Sequence, residues 1–138
     1  MKELIRSAGY KATPGRLALL EVLQKSARPL SVPRIVRGLR GNKVDQATVY
    51  RALATLEKIG AVRRVDLRHG HADYELVQGG DHHHHINCLN CGTVQDFTGC
   101  DLGLVIKKAL RKNPDFAEVR EHSLELFGLC RKCTAGRK

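Results

Sequence analysis

Apolar residues recur every three or four positions along the first sixty residues, which is the spacing of helices with one buried face. Thr13 and Pro14 are typical of a helix start, and Gly60 is typical of a helix end. The spacing and these signals predict three helices, over about 14–25, between Pro33 and Gly41, and over about 46–59.

Two runs with strand-like composition follow, over 61–65 and 73–77, with a turn-prone segment at 68–71 between them. Three helices followed by such a hairpin predict a winged helix-turn-helix domain over residues 1–78. Gly79–Gly80 is the expected hinge to a second domain over 79–138.

The second domain mixes strand and helix patterns. Strands are expected over 84–88 and 93–97, and the alternation of apolar residues predicts further strands over 116–122 and 123–129. A helix is predicted over about 102–111, with its apolar residues facing inward: Val105, Ile106, Ala109 and Leu110. The fold class is therefore α+β, a winged helix followed by a small α/β domain.

Charge divides the chain in the same place. The 138 residues carry a formal net charge of +10, and residues 1–80 hold 15 Lys and Arg against 7 Asp and Glu. Residues 81–138 hold 9 against 7. A basic first domain is typical of a protein with a polyanionic partner such as DNA, although a merely solvated basic face has the same composition.

Neither a signal peptide nor a lipidation motif is recognisable, and no run of eighteen apolar residues occurs. We therefore expect a cytoplasmic protein without a membrane partner.

The second domain contains two pairs of cysteines with the same spacing. Cys88 and Cys91 form the first pair, and Cys130 and Cys133 the second. Two such turns supply the four sulfurs that a structural zinc ion prefers. Two disulfides or a redox pair are the alternatives, but thiols stay reduced in the cytoplasm, which favours metal. Cys100 is left over, and is expected to be a small buried or half-buried residue, or else a ligand or a redox-sensitive thiol.

A run of four histidines after Asp81 precedes the first cysteine pair. Because alternate residues of a strand point to the same side, His83 and His85 would share one face and His82 and His84 the other. Imidazole ligands at this spacing indicate at least one further, more open metal site, with a solvated polar loop as the alternative.

The third helix is the expected DNA-reading helix. Its exposed positions include Gln46, Thr48, Tyr50 and Arg51, whose side chains are able to reach base edges or phosphates. Lys11 and Arg16 are predicted phosphate contacts, as are Arg34, Arg37, Arg40 and Lys43. Tyr50 could instead belong to the core.

Several motifs, taken in order, resemble the ferric uptake regulator (Fur) superfamily of metal-dependent transcriptional repressors. The resemblance covers essentially the whole chain. The matching segments are Lys11–Arg16, Ala47–Leu53, Gly60–Val62, Tyr74–Leu76, His83–Gly92, Asp96–Phe97, His122–Leu124 and Gly128–Cys133.

The resemblance implies a homodimer that binds double-stranded DNA at an AT-rich inverted repeat, with Tyr50 and Arg51 at contacting positions and Lys11 towards the minor groove. It also implies a corepressor metal at the hinge. The hinge ligands would be Glu75, His83, His85 and Asp96. The histidine that family members often add from the DNA-binding region is missing here, so we expect His71 to complete the site, with His69 and Asp73 as alternatives.

The family's second site would use His82, His84 and His122. The helix acid of that site corresponds to Gly103 here, and Asp101 is the expected substitute. Nitrogen and oxygen ligands at the hinge favour Fe(II), with Zn(II) or Mn(II) as alternatives, and a zinc- or peroxide-sensing relative stays open.

Other classes of function account for less of the sequence. A zinc hydrolase built on the histidines, with Glu75 as base, would leave the helix-turn-helix unexplained, so no enzyme activity and no small-molecule substrate are expected. A histidine-rich metal-buffering protein would need no DNA affinity. A DNA-binding protein with only a structural metal would bind DNA regardless of any labile ion.

Overall fold

The computed structural model describes residues 1–39, 44–77 and 83–136. The chain divides into two compact units, Met1–Asp81 and His82–Lys138. The expected hinge at Gly79–Gly80 and the expected domain boundary after residue 78 lie outside the described residues. Helices and strands occur in both units, and the α+β fold predicted from the sequence is confirmed.

The first unit consists of helices and one small sheet. Its strands lie in the order β1-β3-β2, and both pairings are antiparallel. The β2–β3 hairpin forms the wing that follows the helices. The elements are α1 (Lys2–Ser7), α2 (Pro14–Gln24), β1 (Leu30–Ser31), α3 (Val32–Gly38), α4 (Gln46–Lys58), β2 (Val62–Asp66) and β3 (Ala72–Leu76).

Local chemistry fixes the ends of the longer helices. The Thr13 hydroxyl accepts a hydrogen bond from the Arg16 amide at 3.4 Å at the start of α2. The Asp45 carboxylate accepts one from the Thr48 amide at 2.7 Å at the start of α4. Gly60, just past α4, has φ +70°, which a glycine adopts without the strain that a side chain would cause. These caps let α4 begin at Gln46, as predicted, and end at Lys58, one residue before its predicted end.

A continuous apolar core holds the first unit together. Ile35, Leu53 and Leu56 are fully buried, and Leu20 and Val62 are almost so. The helices α2, α3 and α4 each contribute buried residues at three- and four-residue spacings, and this spacing is the apolar pattern seen in the sequence.

The second unit is a mixed sheet with two helices. Its central strand, β4, pairs antiparallel with β5 and parallel with β6. The elements are β4 (His84–Cys88), β5 (Val94–Phe97), α5 (Gly103–Lys112), β6 (Glu125–Gly128) and α6 (Arg131–Ala135).

The structure differs from the sequence expectations chiefly in the second unit. Residues 116–122 form no strand, and β6 is shorter than the predicted strand over 123–129. The alternation in 116–122 finds no neighbouring strand to pair with among the described residues. Val105, expected to face inward from α5, is 58% exposed, and Ala109 is exposed too. The elements α1, β1 and α6 had not been predicted, because each is too short for a periodic signal.

Within the part of the chain that the structure describes, no helix has both the length and the apolar character needed to cross a membrane.

Candidate metal centres

Four thiols meet where β4, β6 and α6 come together. The sulfurs of Cys88, Cys91, Cys130 and Cys133 all lie within 4.8 Å of one another. The Cys91 and Cys130 sulfurs are 3.7 Å apart, well beyond the length of a disulfide bond, and all five cysteines of the chain are free. This arrangement excludes the two-disulfide alternative in this structure.

The backbone shapes this cluster before any ion binds. The Gly92 amide donates to the Cys88 carbonyl at 2.9 Å, and the Leu89 amide donates to the Gly128 carbonyl at 2.8 Å. Gly92 has φ +68°, so the tight turn after the first pair depends on a residue without a side chain. The turn directs Cys88 and Cys91 to one point, and the hydrogen bond to Gly128 holds the end of β6 beside it.

The thiols differ in acidity. Hydrogen bonding from the Cys130 amide, followed by the Cys91 and Asn90 amides, lowers the pKa of Cys88 to about 6. The Asn90 side chain lowers the pKa of Cys133, but the neighbouring Cys130 thiol and burial outweigh it and raise that pKa to about 11. Four crowded sulfurs cannot all become thiolates without a cation. Four thiolates at tetrahedral spacing fit a structural zinc ion.

The histidines of β4 lie on two faces of the strand. His85 is 1% exposed and stands opposite Asp96 on β5, with 3.7 Å between His85 Nε2 and Asp96 Oδ1. The His83 and His85 rings meet edge to face, with centroids 5.2 Å apart. The three predicted hinge ligands of the second unit therefore lie on one side of β4.

His84 belongs to the other face. It is 4% exposed, and its ring lies 5.4 Å from the ring of Phe97, its partner across the sheet. His84 Nε2 lies 2.7 Å from the Cys100 sulfur, and the His84 and His122 ring centroids are 5.3 Å apart. The ligand atoms of His84, Cys100 and His122 all lie within 4.8 Å of one another.

The predicted second site has two other residues, Asp101 and His82. The Asp101 carboxylate accepts a hydrogen bond from the Gly103 amide at 3.3 Å, at the start of α5. His82 lies outside the described residues. Cys100 is the residue that the sequence interpretation left open, because nothing in its spacing links it to His84 or His122.

The remaining predicted hinge ligands are in the first unit. Glu75 lies on β3, is 9% exposed, and accepts hydrogen bonds from the Arg63 guanidinium, one of them at 2.7 Å from Nε. A metal ion that recruits Glu75 must compete with this arginine. Cross-strand pairing of Arg63 with Glu75 explains why the carboxylate is tolerated at low exposure.

His71 groups with two neighbours in the wing. The ligand atoms of His69, His71 and Asp73 all lie within 4.8 Å of one another, and His69 Nε2 is 2.7 Å from Asp73 Oδ2. The two imidazole rings stack with centroids 4.0 Å apart. Burial raises the pKa of Asp73, although both histidines oppose that shift. The three alternatives considered for the fifth hinge ligand thus form one cluster.

The exposed side of α4 carries the candidate DNA contacts. Tyr50 is 52% exposed, so it is not a core residue, and Gln46 and Thr48 are exposed as well. Arg51 Nη2 donates to the Thr48 hydroxyl at 3.1 Å, which orients the guanidinium along the helix.

The predicted phosphate contacts that the structure describes lie near the start of α2 and on α3. Arg16 Nη1 donates to the Lys11 carbonyl at 2.7 Å, and Arg16 Nη2 donates to the Thr55 hydroxyl of α4 at 3.3 Å. Arg34 and Arg37 are exposed on α3, whereas Arg40 and Lys43 lie outside the described residues.

Comparison with known proteins gives a consistent result. The model of the ferric uptake regulator family matches residues 7–127. The ferric uptake regulation protein of Bordetella parapertussis is 38% identical over 136 residues, covering 96% of each chain.

Two solved structures extend the match to the fold. The ferric uptake regulator from Francisella tularensis, determined with iron, has a TM-score of 0.75 and 31% identity, covering 91% of this chain and 96% of that one. The regulator from Pseudomonas aeruginosa, determined with manganese, has a TM-score of 0.75 and 30% identity, covering 94% of this chain and 97% of that one.

Proposed function

The chain belongs to the ferric uptake regulator family, and we propose that it is a cytoplasmic, metal-responsive repressor that binds double-stranded DNA as a homodimer. A divalent ion at the hinge acts as corepressor. The observation that carries this proposal is the grouping of His83, His85 and Asp96 on one side of β4, next to the segment that joins two units of different charge.

The regulatory site consists of those three ligands together with Glu75, and His71 is the predicted fifth ligand. Two imidazoles and two carboxylates form a nitrogen and oxygen site, which suits Fe(II), Mn(II) and Zn(II). Fe(II) is favoured, because relatives in this family are named for ferric uptake and one was determined with iron. The relative determined with manganese keeps Mn(II) as an alternative.

DNA recognition is assigned to the exposed side of α4 and the start of α2. Gln46, Thr48 and Tyr50 present two polar side chains and one aromatic side chain to solvent, as base-reading positions must. Arg51, held by Thr48, and Arg16, held by the Lys11 carbonyl, have guanidinium groups that suit phosphate. Binding of this kind weakens as salt concentration rises.

Dimerisation is assigned to the second unit. Leu104 and Val105 on α5 are 70% and 58% exposed, and Phe116 is 67% exposed. Several large, exposed apolar side chains in one small unit favour an interface over a solvated surface. A second copy of the chain covers them in this proposal, and the paired wings then match the symmetry of an inverted repeat.

A second metal site is proposed on the other face of β4. The predicted ligands are His82, His84, Asp101 and His122. The closeness of the His84 and His122 rings supports it.

The proposal is tested by measuring DNA binding across buffered concentrations of free Fe(II), Mn(II) and Zn(II), without oxygen and at one fixed salt concentration. The DNA upstream of the protein's own gene serves as the probe. We expect a steep gain in affinity with one of the three metals. The double variant His83→Ala with His85→Ala should abolish that gain while keeping the fold, because it removes two hinge imidazoles and no sulfur ligand.

Gln95→Ala is the matched control, since Gln95 is an exposed neighbour on β5 with no predicted ligand role. It should respond to metal as the parent does. If the double variant keeps its metal response, the hinge assignment is wrong. If the parent protein binds DNA equally at every metal concentration, the chain is a DNA-binding protein with only a structural ion.

A further inference from the structure

We propose that Cys100 is a metal ligand, and that His84, Cys100 and His122 together form a zinc site with two imidazoles and one thiolate. The inference rests on the proposed second metal site and changes its chemistry, because a thiolate takes the place predicted for the Asp101 carboxylate. Four observations carry it: the position of the three side chains, the burial of His84, the engagement of Asp101, and the absence of a side chain at Gly103.

The three donors come from separate segments of the second unit. His84 is on β4, Cys100 is in the segment between β5 and α5, and His122 precedes β6. Their ligand atoms nevertheless all lie within 4.8 Å of one another. Donors grouped this closely need only small side-chain rotations to meet one ion at zinc–nitrogen and zinc–sulfur distances of about 2.0–2.3 Å.

The cluster extends from the interior of the second unit to its surface. His84 is 4% exposed, Cys100 is half-buried and His122 is exposed. A buried imidazole needs a polar partner, because it loses its contact with water. The Cys100 sulfur, 2.7 Å from His84 Nε2, is such a partner, and a ligand atom of His122 lies within 4.8 Å of the ligand atoms of both.

Among the described residues, no carboxylate at the start of α5 has an oxygen within the group formed by His84, Cys100 and His122. Asp101 Oδ1 already accepts the Gly103 amide hydrogen bond at 3.3 Å. A Cβ atom added at Gly103 would meet that same oxygen at 3.3 Å, so Asp101 occupies the space beside the residue where a helix acid would begin. Cys100 is therefore the better-placed donor of the two.

The donor set determines which metal class is selected. Thiolate sulfur prefers zinc and other soft or borderline ions, whereas Fe(II) and Mn(II) are better matched by carboxylates. The two faces of β4 would then differ in metal preference: nitrogen and oxygen donors on the side of His83 and His85, and nitrogen and sulfur donors on the side of His84. The chain would keep zinc at the second face without placing it at the hinge.

The test uses full-length protein whose four-cysteine site is filled with zinc, titrated anaerobically with Co(II). A thiolate bound to Co(II) gives a near-ultraviolet charge-transfer band that imidazole and carboxylate ligands do not give. We expect the parent protein to develop this band, and Cys100→Ser to lose it. The zinc affinity of this site in Cys100→Ser, measured by competition with a chelator, should fall by at least about tenfold. Removing a residue that only supports a metal ligand already costs about that much, and Cys100 is proposed to be a ligand itself.

Asp101→Asn is the matched control and should keep the band, as should the His83→Ala with His85→Ala variant. Retention of one tightly held zinc per chain by Cys100→Ser checks that the fold and the four-cysteine site persist. If that variant fails to fold, His122→Ala, at an exposed position, replaces it and should weaken Co(II) binding at the same site.

The inference is overturned if the parent develops no band, if Cys100→Ser keeps it, or if Asp101→Asn loses it instead. These outcomes are separate from the failure of the proposed function, which would appear as DNA binding indifferent to metal.

Discussion

The two units of this chain bury their apolar residues to very different degrees. In the first unit, helices and sheet enclose a core in which Ile35, Leu53 and Leu56 are fully buried. Among the described residues of the second unit, only Cys88 and Val94 count as buried apolar residues, and α5 has none. The second unit instead contains two clusters of side chains able to bind a metal ion, and several exposed apolar side chains.

This difference shows two ways of stabilising a small domain. A unit of about 80 residues with a closed core is able to fold by itself, whereas a unit of fewer than 60 residues that buries few apolar side chains needs a metal, a disulfide or a partner. Because its cysteines are free, the second unit must rely on the metal and, in the proposed dimer, on a second copy. We therefore expect metal removal and core mutation to affect different units.

The largest effect is expected from Cys133→Ser, or equally Cys88→Ser. Loss of one sulfur opens the four-cysteine site, and structural zinc contributes on the order of 10 kcal/mol to folding of such domains. Hydrogen exchange should show the second unit unprotected and the first still protected. Sedimentation should show monomers.

Leu129→Ala is a suitable control for Cys133→Ser, since Leu129 precedes the second cysteine pair but is 39% exposed and provides no ligand. If Cys133→Ser keeps its dimer and its melting temperature, the zinc is not what holds the second unit together.

A smaller effect, in the opposite unit, is expected from Leu56→Ala. Leu56 is 0% exposed, and truncating such a leucine lowers the free energy of unfolding by about 2–5 kcal/mol. This loss is measured by denaturant unfolding, with hydrogen exchange of amides in the first unit as the probe. Zinc content should not change.

Leu104→Ala is the matched substitution in the second unit. Leu104 is 70% exposed within one chain, so the substitution should change the free energy of unfolding of a monomer by no more than about 0.5 kcal/mol. If Leu56→Ala and Leu104→Ala lower the free energy of unfolding equally at every protein concentration, the two units do not differ in how they bury apolar residues.

An effect smaller than that of Leu56→Ala is expected from Asp45 at the start of α4. Hydrogen bonds from the Thr48 amide, and then from the Thr48 hydroxyl, lower the pKa of Asp45. A lowered pKa means that the charged carboxylate stabilises the fold above the ordinary carboxyl pKa, and that this contribution is lost as pH falls through the lowered value. Asp45→Ala should thus melt below the parent at neutral pH, and the gap should narrow in acid.

Asp45→Asn keeps a capping oxygen and should melt close to the parent at neutral pH, without the same dependence on acid. Melting temperatures measured from neutral to acid pH compare the three proteins. A gap between Asp45→Ala and the parent that is constant over the whole range would show that the charge of Asp45 contributes nothing.

The sequence predicted the first unit more accurately than the second. The helices of the first unit were predicted closely, because their apolar residues pack into a core formed by the same unit. Leu53 and Leu56 face inward as expected. In the second unit, Val105 was expected inward but is exposed, because a periodic pattern identifies an apolar face without saying what covers it. The family resemblance itself is confirmed.

The candidate sites show the same limit of sequence reasoning. The four cysteines were predicted as one cluster, because each pair has a spacing that already brings two sulfurs together. Cys100 has no such spacing, and only the folded path from β5 to α5 brings it to His84. His71 was predicted for the hinge, which stays a prediction, but its closeness to His69 and Asp73 required the turn of the wing to be known.

The position of Cys88 at the end of β4 has a consequence for every histidine on that strand. A strand that slips by one residue exchanges its two faces, so His84 and His85 would trade environments and each site would acquire the other's ligand. Cys88 is held in the sulfur cluster, and the Leu89 amide is bonded to Gly128. A zinc ion bound to the four cysteines would therefore keep this five-residue strand in register, and would determine which imidazole faces each of the two proposed sites.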